Sequence, residues 1–422
     1  MKHTQSGAAI AYSERRPLRL AYFVSHPIQY QAPLLKRIAR EPDIALKVFF
    51  SSDFSVRGQV DKEFGVRVKW DTPLLDGYEH EFLPVLRKVR DGEGPEFSRP
   101  ANYGVSRRMR EGKFDAVWVH GYHYLTNLQA IWTANSMHIP VLLRAESTLH
   151  DRPRTGMKLA VKRMFFNWLR KKVSAVLSIG EENAVYWRHY LGESMPQFPF
   201  YYSVDNDHFQ RECAVAAETR EEFRSSLGLE AGRGVILFAA KLVPRKRCGE
   251  LVEAYLKLAT ASAWPVPYLL IVGDGEERAM LEARAKTAGV GDVHFLGFRN
   301  QSELPRFYDL CDVFVLASVD EPWGLAINEV MNAARPVIVS DQVGCQKNLV
   351  QPGVKGFVVG AGDVEGLAES LRAVFADAQA ARAMGAEGLR IVDGLSYEQN
   401  VRGLRAALAA VRPGFAEEHA VV

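Results

Sequence analysis

Short runs of largely apolar residues recur along this chain. Each is closed by a polar or glycine-bearing turn, and helical segments separate several of them. Leu18-Arg-Leu-Ala-Tyr-Phe-Val24 is the first, followed by Ile44–Phe50, Ala116–His120, Pro140–Arg144, Ala175–Ile179 and Phe198–Tyr201. A second series comprises Val235–Ala240, Leu270 to Gly275, Phe295 to Phe298, Asp312–Ser318 and Pro336–Asp341. A strand that is apolar at successive positions has both faces covered, as in a parallel sheet with helices on each side. The alternation predicts an α/β fold of doubly wound parallel sheets. At 422 residues the chain is long enough for two such domains, each with its own core.

The most informative turn is Glu321-Pro-Trp-Gly-Leu-Ala-Ile-Asn-Glu329, directly after the run Asp312–Ser318. The run reads as a buried strand, and the segment from Gly324 to Ala334 as the helix that follows. In open α/β sheets, ligands bind outside the carboxyl ends of strands, where helix N-termini offer free N–H groups. Glu321 on the loop and Glu329 in the helix suit the hydroxyls of a sugar or ribose and would repel a phosphate. A phosphate needs another group, and Val235–Ala240 supplies it by running into Lys241-Leu-Val-Pro-Arg-Lys246 and the helical pattern Leu251, Tyr255, Leu256. Two lysines at a strand's carboxyl end can neutralise a diphosphate. Taken singly, either lysine would more often be solvated surface.

From about Gly234 to Val359 the chain resembles the nucleotide-sugar-binding half of a glycosyltransferase family 4 enzyme of GT-B fold. The resemblance rests on Ala240-Lys241-Leu242 with Lys246, Leu270-Ile-Val-Gly-Asp-Gly275, Phe295-Leu-Gly-Phe298, the pair Glu321 and Glu329, and Pro336 to Asp341 with Gly344. It implies two Rossmann-like domains facing a central cleft: an acceptor-side domain over 1–205 and a nucleotide-sugar domain over 206–395. The segment 396–422 would supply a last helix returning to the first domain. Tyr202-Ser-Val-Asp-Asn-Asp-His-Phe209 resembles the family's crossover, with Tyr202-Ser203 in place of Asn-Gly. The chain also departs from the family at Lys241, where arginine is usual, and at Gly344-Cys345, where the family has two glycines. Lysine keeps the charge and loses the bidentate fork.

The resemblance implies a retaining, metal-independent transfer from a nucleoside-diphosphate sugar, with no cofactor beyond that co-substrate. Lys241 and Lys246 would hold the diphosphate, Glu329 the ribose, and Glu321 with the backbone of Trp323, Gly324 and Leu325 the sugar. Phe298 lies in the matched donor pocket. His120, Lys246 and Glu321 would carry the chemistry, with His120 facing the sugar across the cleft. A lone histidine after a strand is otherwise more often a satisfied structural residue. Ser25-His26-Pro27-Ile28-Gln29-Tyr30 occupies the first strand–helix loop, where relatives carry a glycine pair. There His26 and Gln29 are candidates for acceptor or phosphate contact, while Ser25 and Pro27 equally fit a plain helix cap.

Other features bound the function. Basic and acidic residues nearly balance, for a net charge of +3, which argues against a nucleic-acid binder relying on bulk electrostatics. Cys213, Cys248, Cys311 and Cys345 are widely spaced and read as reduced, buried thiols, with neither a disulfide framework nor a zinc site. Asp205-Asn-Asp207 fits an Asp-x-Asp metal signature only superficially, since it falls in the linker, and Gly273-Asp-Gly275 is too short for a dinucleotide fingerprint. Met1 to Pro17 reads as a polar, disordered start without an apolar signal core. No apolar run reaches the roughly 18 residues of a membrane span. A cytoplasmic protein is expected. Arg152 to Lys172 interleaves basic and apolar residues, so an amphipathic helix on an anionic membrane surface is one reading and a core-facing helix with a solvated face the other. From Ser51 to Gly112 the periodicity is weak, which suggests a variable acceptor-side loop.

Three functions remain open at this level. The first is a retaining glycosyltransferase acting on a glycan or lipid-linked acceptor in cell-surface polysaccharide or lipopolysaccharide synthesis. The second is a non-catalytic sugar-nucleotide-binding partner subunit, and the third another GT-B enzyme such as an epimerase or phosphorylase.

Overall fold

A computed structural model of the protein describes residues 16–57, 71–89, 96–149, 155–261, 265–289 and 292–415. The expected disordered start, much of the segment 51–112, and Arg152 and Arg154 of the basic stretch lie wholly or partly outside these residues. The described chain forms two large parallel sheets and a small antiparallel pair, Val85–Arg87 with Ala101–Asn102. The first has seven strands in the order Glu79–Phe82, Ile44–Phe50, Leu18–Val24, Ala116–His120, Val141–Arg144, Ala175–Ser178, Gln197–Pro199. The second has six, in the order Val293–Gly297, Tyr268–Val272, Val235–Ala239, Val313–Leu316, Val337–Ser340, Gly356–Val359. Every pairing within both sheets is parallel.

The continuous apolar runs explain this directly. Val313–Leu316, Val337–Ser340, Ala116–His120 and Val141–Arg144 are buried at every position, and each sheet separates two apolar clusters, one per face. Both sheets reverse their strand order at one internal point. In the first it lies between Leu18–Val24 and Ala116–His120, and in the second between Val235–Ala239 and Val313–Leu316. Loops leaving the carboxyl ends of such a strand pair splay to opposite faces and open a crevice. The fold therefore assigns the ligand crevices before any side chain is considered.

One stretch holds more structure than its weak periodicity suggests, and one local expectation fails. Within 51–112 the described residues include the edge strand Glu79–Phe82 and the helix Val105–Gly112. That strand reads Glu-His-Glu-Phe, a polar sequence suited to an edge that must not recruit another chain. The first helix begins at Ala32 rather than after Ser25, and Pro33 takes its first turn. Ser25 does not cap it; its hydroxyl bonds the adjacent His26 Nδ1 at 2.9 Å. The residues from Ser25 to Gln31 are thereby freed to line the crevice.

The last helix, Tyr397–Val411, packs on the first sheet and buries Val401, Leu404, Ala407 and Leu408 there. Arg405 pairs with Asp43 at 2.7 Å, and Asn400 Nδ2 donates to the Tyr201 carbonyl at 2.9 Å. Gly403 sits against the strand Gln197–Pro199, where a Cβ would lie 1.9 Å from the Pro199 carbonyl oxygen. Alanine at mid-helix is intrinsically better than glycine by about 1 kcal/mol. Forcing a methyl into a packed backbone contact costs about 1–3 kcal/mol, and this collision is with a rigid carbonyl. The collision should win. Gly403→Ala is expected to destabilise the protein by about 1–2 kcal/mol and lower its melting temperature by roughly 2–8 °C, checked by calorimetry. An unchanged or raised melting temperature would show that the helix can lift without loss.

Candidate active site

The crevice of the second sheet is built from the loops that leave its two central strands. After Val235–Ala239 the chain runs through Lys241 into the turn Pro244–Lys246, and Arg247 closes that turn at a φ of +55°. Two glycines permit this path. A Cβ on Gly273 would lie 1.9 Å from the Ala240 oxygen, and one on Gly275 would lie 2.4 Å from the Leu242 oxygen. Leu242 N–H donates to the Asp274 carbonyl at 2.9 Å, so the Lys241 loop is stitched to its neighbour. The Gly-Asp-Gly sequence, too short for a dinucleotide fingerprint, serves close backbone approach here.

The second loop follows Val313–Leu316. Val319 N–H donates to the Arg245 carbonyl at 2.8 Å, bringing the lysine and glutamate loops side by side. Lys246 Nζ is ion-paired with Glu321 Oε2, and Arg245 reaches the same oxygen at 3.7 Å. Lys246 and Glu321 each keep 12% of their side-chain surface exposed, so the pair is largely withdrawn from water yet still open to the crevice. Gly324 begins the helix Leu325–Met331 at a φ of +94°, where a Cβ would press on Val343. Gly344 N–H donates to the Glu321 carbonyl at 2.9 Å, and a Cβ on Gly344 would lie 2.1 Å from the Pro322 oxygen. Cys345, where a second glycine was expected, has a φ of −78° and needs none of a glycine's freedom.

Glu329 lies on the helix Leu325–Met331 and faces the same crevice. Tyr308 O–H donates to its Oε2 at 2.6 Å, and Gln301 Nε2 reaches its Oε1 at 3.5 Å. Desolvation pushes its carboxyl up to about 7, against the pull of those two hydrogen bonds. The indole of Trp323 does not line the crevice. It is buried between the domains, donates to Asn328 Oδ1 at 2.8 Å, and lies 6.4 Å from the ring of Tyr201. Phe298 follows the strand Val293–Gly297, half-buried.

The first sheet contributes a polar cluster at its own reversal point. His120 ends the strand Ala116–His120, and its Nδ1 meets Tyr22 Oη at 2.8 Å and Gln31 Nε2 at 2.9 Å. Its Nε2 lies 3.4 Å from Glu146 Oε1. A neutral ring protonated on Nε2 donates to Glu146 and accepts at Nδ1 from Gln31 Nε2, while Tyr22 O–H gives its proton to Gln31 Oε1 at 2.8 Å. Burial holds the His120 pKa below its usual value, consistent with that state. Glu146 also accepts from Tyr30 at 3.0 Å and from Tyr202. Burial alone would raise its carboxyl; the hydrogen bond from His120, the charge of Arg144 and the Tyr30 hydroxyl hold it down at about 2. The Arg144 guanidinium lies over the Tyr202 ring at 4.6 Å, and its Nε has no hydrogen-bond partner among the described residues.

His26 belongs to the same cluster. Burial, and then the nearby His120, lower its pKa to about 4, so it offers a neutral ring rather than a cation. Gln29 spans the domains and donates to Gln301 Oε1 at 2.6 Å. The structure thus brings Lys246, Glu321 and Arg245 into contact, sets Glu329 beside Tyr308 and Gln301, and links Gln29 to that second group. Sequence reading missed Glu146, Tyr30, Arg144, Arg245, Gln301 and Tyr308. Of these, Arg245 and Glu146 carried a signal, since each follows a strand at its carboxyl end. Among the described residues no group of histidine, cysteine and carboxylate side chains could hold a metal ion. Asp205 instead accepts from His208 N–H at 3.0 Å as a helix cap.

Residues 219–390 match the family model described as glycosyl transferases group 1. The lipopolysaccharide core biosynthesis glycosyltransferase LpsE of Rhizobium meliloti is 35% identical over 155 residues, 36% of this chain and 43% of that protein. The chain thus spans less than half the length of that curated relative. Among solved structures, Anabaena Alr3699/HepE in complex with UDP aligns with a TM-score of 0.69 over 93% of this chain and all of that one, at 17% identity. WaaG, a glycosyltransferase involved in lipopolysaccharide biosynthesis, aligns with a TM-score of 0.61 over 95% of this chain and 99% of its own, at 15% identity. At these identities the likeness concerns the fold, which is GT-B. The crevice of lysines and glutamates lies within the segment that the glycosyl transferases group 1 model matches.

Proposed function

We propose that the protein is a retaining glycosyltransferase that moves a sugar from a nucleoside-diphosphate sugar to a glycan or lipid-linked acceptor in cell-surface polysaccharide or lipopolysaccharide synthesis. The observation that carries this reading is the placement of Lys241, Lys246, Glu321 and Glu329 on the two loops flanking the strand-order reversal of the domain that the group 1 model matches. Glu329 accepts hydrogen bonds from the ribose hydroxyls. Lys241 and Lys246 hold the diphosphate, and Glu321 with the backbone of Gly324 and Leu325 holds the sugar.

In the transfer, the bond between the anomeric carbon and the phosphate oxygen breaks, and the acceptor oxygen bonds to that carbon on the same face. The acceptor proton passes to a departing phosphate oxygen. Lys246, already oriented by Glu321, stabilises the negative charge as it grows on the diphosphate. Neither a metal ion nor a separate base is required. Neutral His120, fixed by Tyr22 and Gln31, would turn its Nε2–H from the long 3.4 Å contact with Glu146 to the sugar, and closure of the domains excludes water. The basic helix around Lys158 to Lys172 would rest on anionic lipid at the cytoplasmic face of a membrane, each cation adding about 1 kcal/mol near the headgroups. No helix among the described residues is long and apolar enough to cross a membrane.

A melting-shift panel of nucleoside diphosphates and their sugars tests the donor site. A ligand at a hundred times its Kd adds about 2.7 kcal/mol, hence a rise of roughly 5–10 °C. Glu329→Ala and Lys246→Ala should abolish it. Lys246→Ala should also remain folded and lose at least about a hundredfold in turnover, the usual result of removing one electrostatic donor. Unchanged turnover would remove Lys246 from its role. Stabilisation by a donor with no transfer to any acceptor in a membrane extract would mark a donor-binding partner subunit instead.

The raised pKa of Glu329 makes donor affinity pH-dependent. Its folded pKa of about 7 exceeds its ordinary 4.5, so its ionisation opposes folding increasingly as pH rises from 4.5 to 7. Ribose hydroxyls favour the ionised form as an acceptor, so the intact sugar nucleotide, whose phosphates do not titrate in this range, should bind more tightly as pH rises from 6 to 8. Titration calorimetry on Glu329→Gln should give a flat profile. A slope retained in that variant would place the titrating group elsewhere.

A further inference from the structure

Beside the donor crevice lies a second cavity of about 690 Å³, a volume within the range of small-molecule sites. Its walls come from the first domain, chiefly Tyr122, Leu128, Phe165, Phe166 and Tyr186. Arg245 and Asp320 of the second domain close one side. Arg245 and Asp320 flank the Lys246–Glu321 pair in sequence, so the cavity adjoins the place where the transferred sugar is held. We propose that this cavity binds a hydrocarbon segment of the acceptor, which makes the acceptor a lipid-linked molecule rather than a free glycan. The proposal rests on the donor assignment above and narrows its acceptor class.

Three observations carry it. First, the hydroxyls in the wall are engaged with one another. Tyr122 Oη meets Ser147 Oγ at 2.8 Å and Tyr186 Oη at 2.7 Å, so these walls offer ring faces and edges, and the charged groups of the lining are Lys162, Arg245 and Asp320. A sugar would require hydrogen-bonding groups turned inward, whereas a hydrocarbon requires only this apolar surface. Second, the cavity wall continues onto an exposed apolar stripe. Val161 lines the cavity and is 54% exposed, and Met157 and Met164, on the same face of the helix Gly156–Leu169, are 83% and 67% exposed. Spacings of three and four residues put the three side chains in one row. An exposed apolar row that runs into an apolar cavity is a path for a chain, and such patches on a protein surface mark ligand or membrane contact. Third, the two cations of the lining, Lys162 and Arg245, are each turned to another partner, Arg245 toward Glu321 at 3.7 Å. Lys162 Nζ lies 4.2 Å from the ring centroid of Tyr190 and 5.0 Å from that of Tyr186. Its ammonium is held against aromatic faces, where it can meet the anionic headgroup region while the chain passes inward.

The test compares octyl and methyl glycosides of the same sugars as binding probes, at concentrations below micelle formation, using the full chain. The octyl series should bind at least tenfold more tightly than the methyl series. Val161→Asp, at an exposed position that should not disturb folding, and Leu128→Trp, which fills the cavity, should each remove that tenfold preference. The nucleoside-diphosphate melting shift should persist in both variants. Equal binding of the two series, or an octyl preference that survives both substitutions, would overturn the proposal. Octyl binding in a wild-type protein that shows no nucleotide shift would overturn the acceptor assignment by removing the donor reading, and the two failures are thereby distinguished.

Discussion

The parallel pairing of Val235–Ala239 with Val313–Leu316 is the constraint on which the candidate site depends. Those two strands bound the reversal point of the second sheet, so the loops that leave them emerge side by side. The Val319–Arg245 backbone hydrogen bond then fixes their separation, and the Lys246–Glu321 pair follows from it. An ion pair so withdrawn from water is a poor source of stability, because desolving both charges offsets most of their attraction. Its value is orientation. Glu321 holds the ammonium in a crevice from which a lone lysine would swing into solvent, and a diphosphate entering the crevice finds a cation already placed.

The first domain uses the same geometry for a different electrostatic end. His120 and the Ser25–Gln31 loop flank the reversal point of the first sheet, and here the result is a half-buried carboxylate, Glu146, surrounded by donors. Three hydrogen bonds and the adjacent Arg144 keep that carboxylate charged despite burial, while His120 and His26 stay neutral. Glu329, across the cleft, has hydrogen bonds from Tyr308 and Gln301, and desolvation prevails over them. The two carboxylates thus titrate several pH units apart because His120, Arg144 and Tyr30 together outweigh desolvation at Glu146, whereas the hydrogen bonds of Tyr308 and Gln301 do not at Glu329.

Much of this was legible in the sequence because parallel sheets write themselves as continuous apolar runs. Both central strand pairs, the Lys241–Lys246 loop and the Glu321–Glu329 turn could be read that way. What was lost was lost for stated reasons. Glu79–Phe82 is an edge strand, and polar edge strands carry no apolar signal. Ser25 and Pro27 match a helix start, yet Pro33 provides a better one six residues on. Tyr308 and Gln301 lie on helical segments far in sequence from Glu329, and only the fold brings them to it. The stripe of Met157, Val161 and Met164 was visible as spacing, but spacing cannot say which face of an amphipathic helix points outward, and here apolar residues do.

Coupling between the domains follows from the same contacts. Gln29 of the first domain donates to Gln301, which reaches Glu329, while Asn328 Nδ2 donates to the Tyr202 carbonyl at 3.3 Å and Trp323 packs beside Tyr201 and Tyr202. Tyr202 also donates to Glu146. The turn that carries Glu321 and Glu329 therefore touches the first domain on two sides: through Gln301 at the donor end and through Tyr202 at the acceptor end. A ligand that draws Glu329 toward ribose competes with Gln301 for the same carboxylate, and so acts on the link to Gln29. Donor occupancy and the relative placement of the domains then share one set of hydrogen bonds, which is the physical requirement for closure to depend on the donor rather than merely to accompany it.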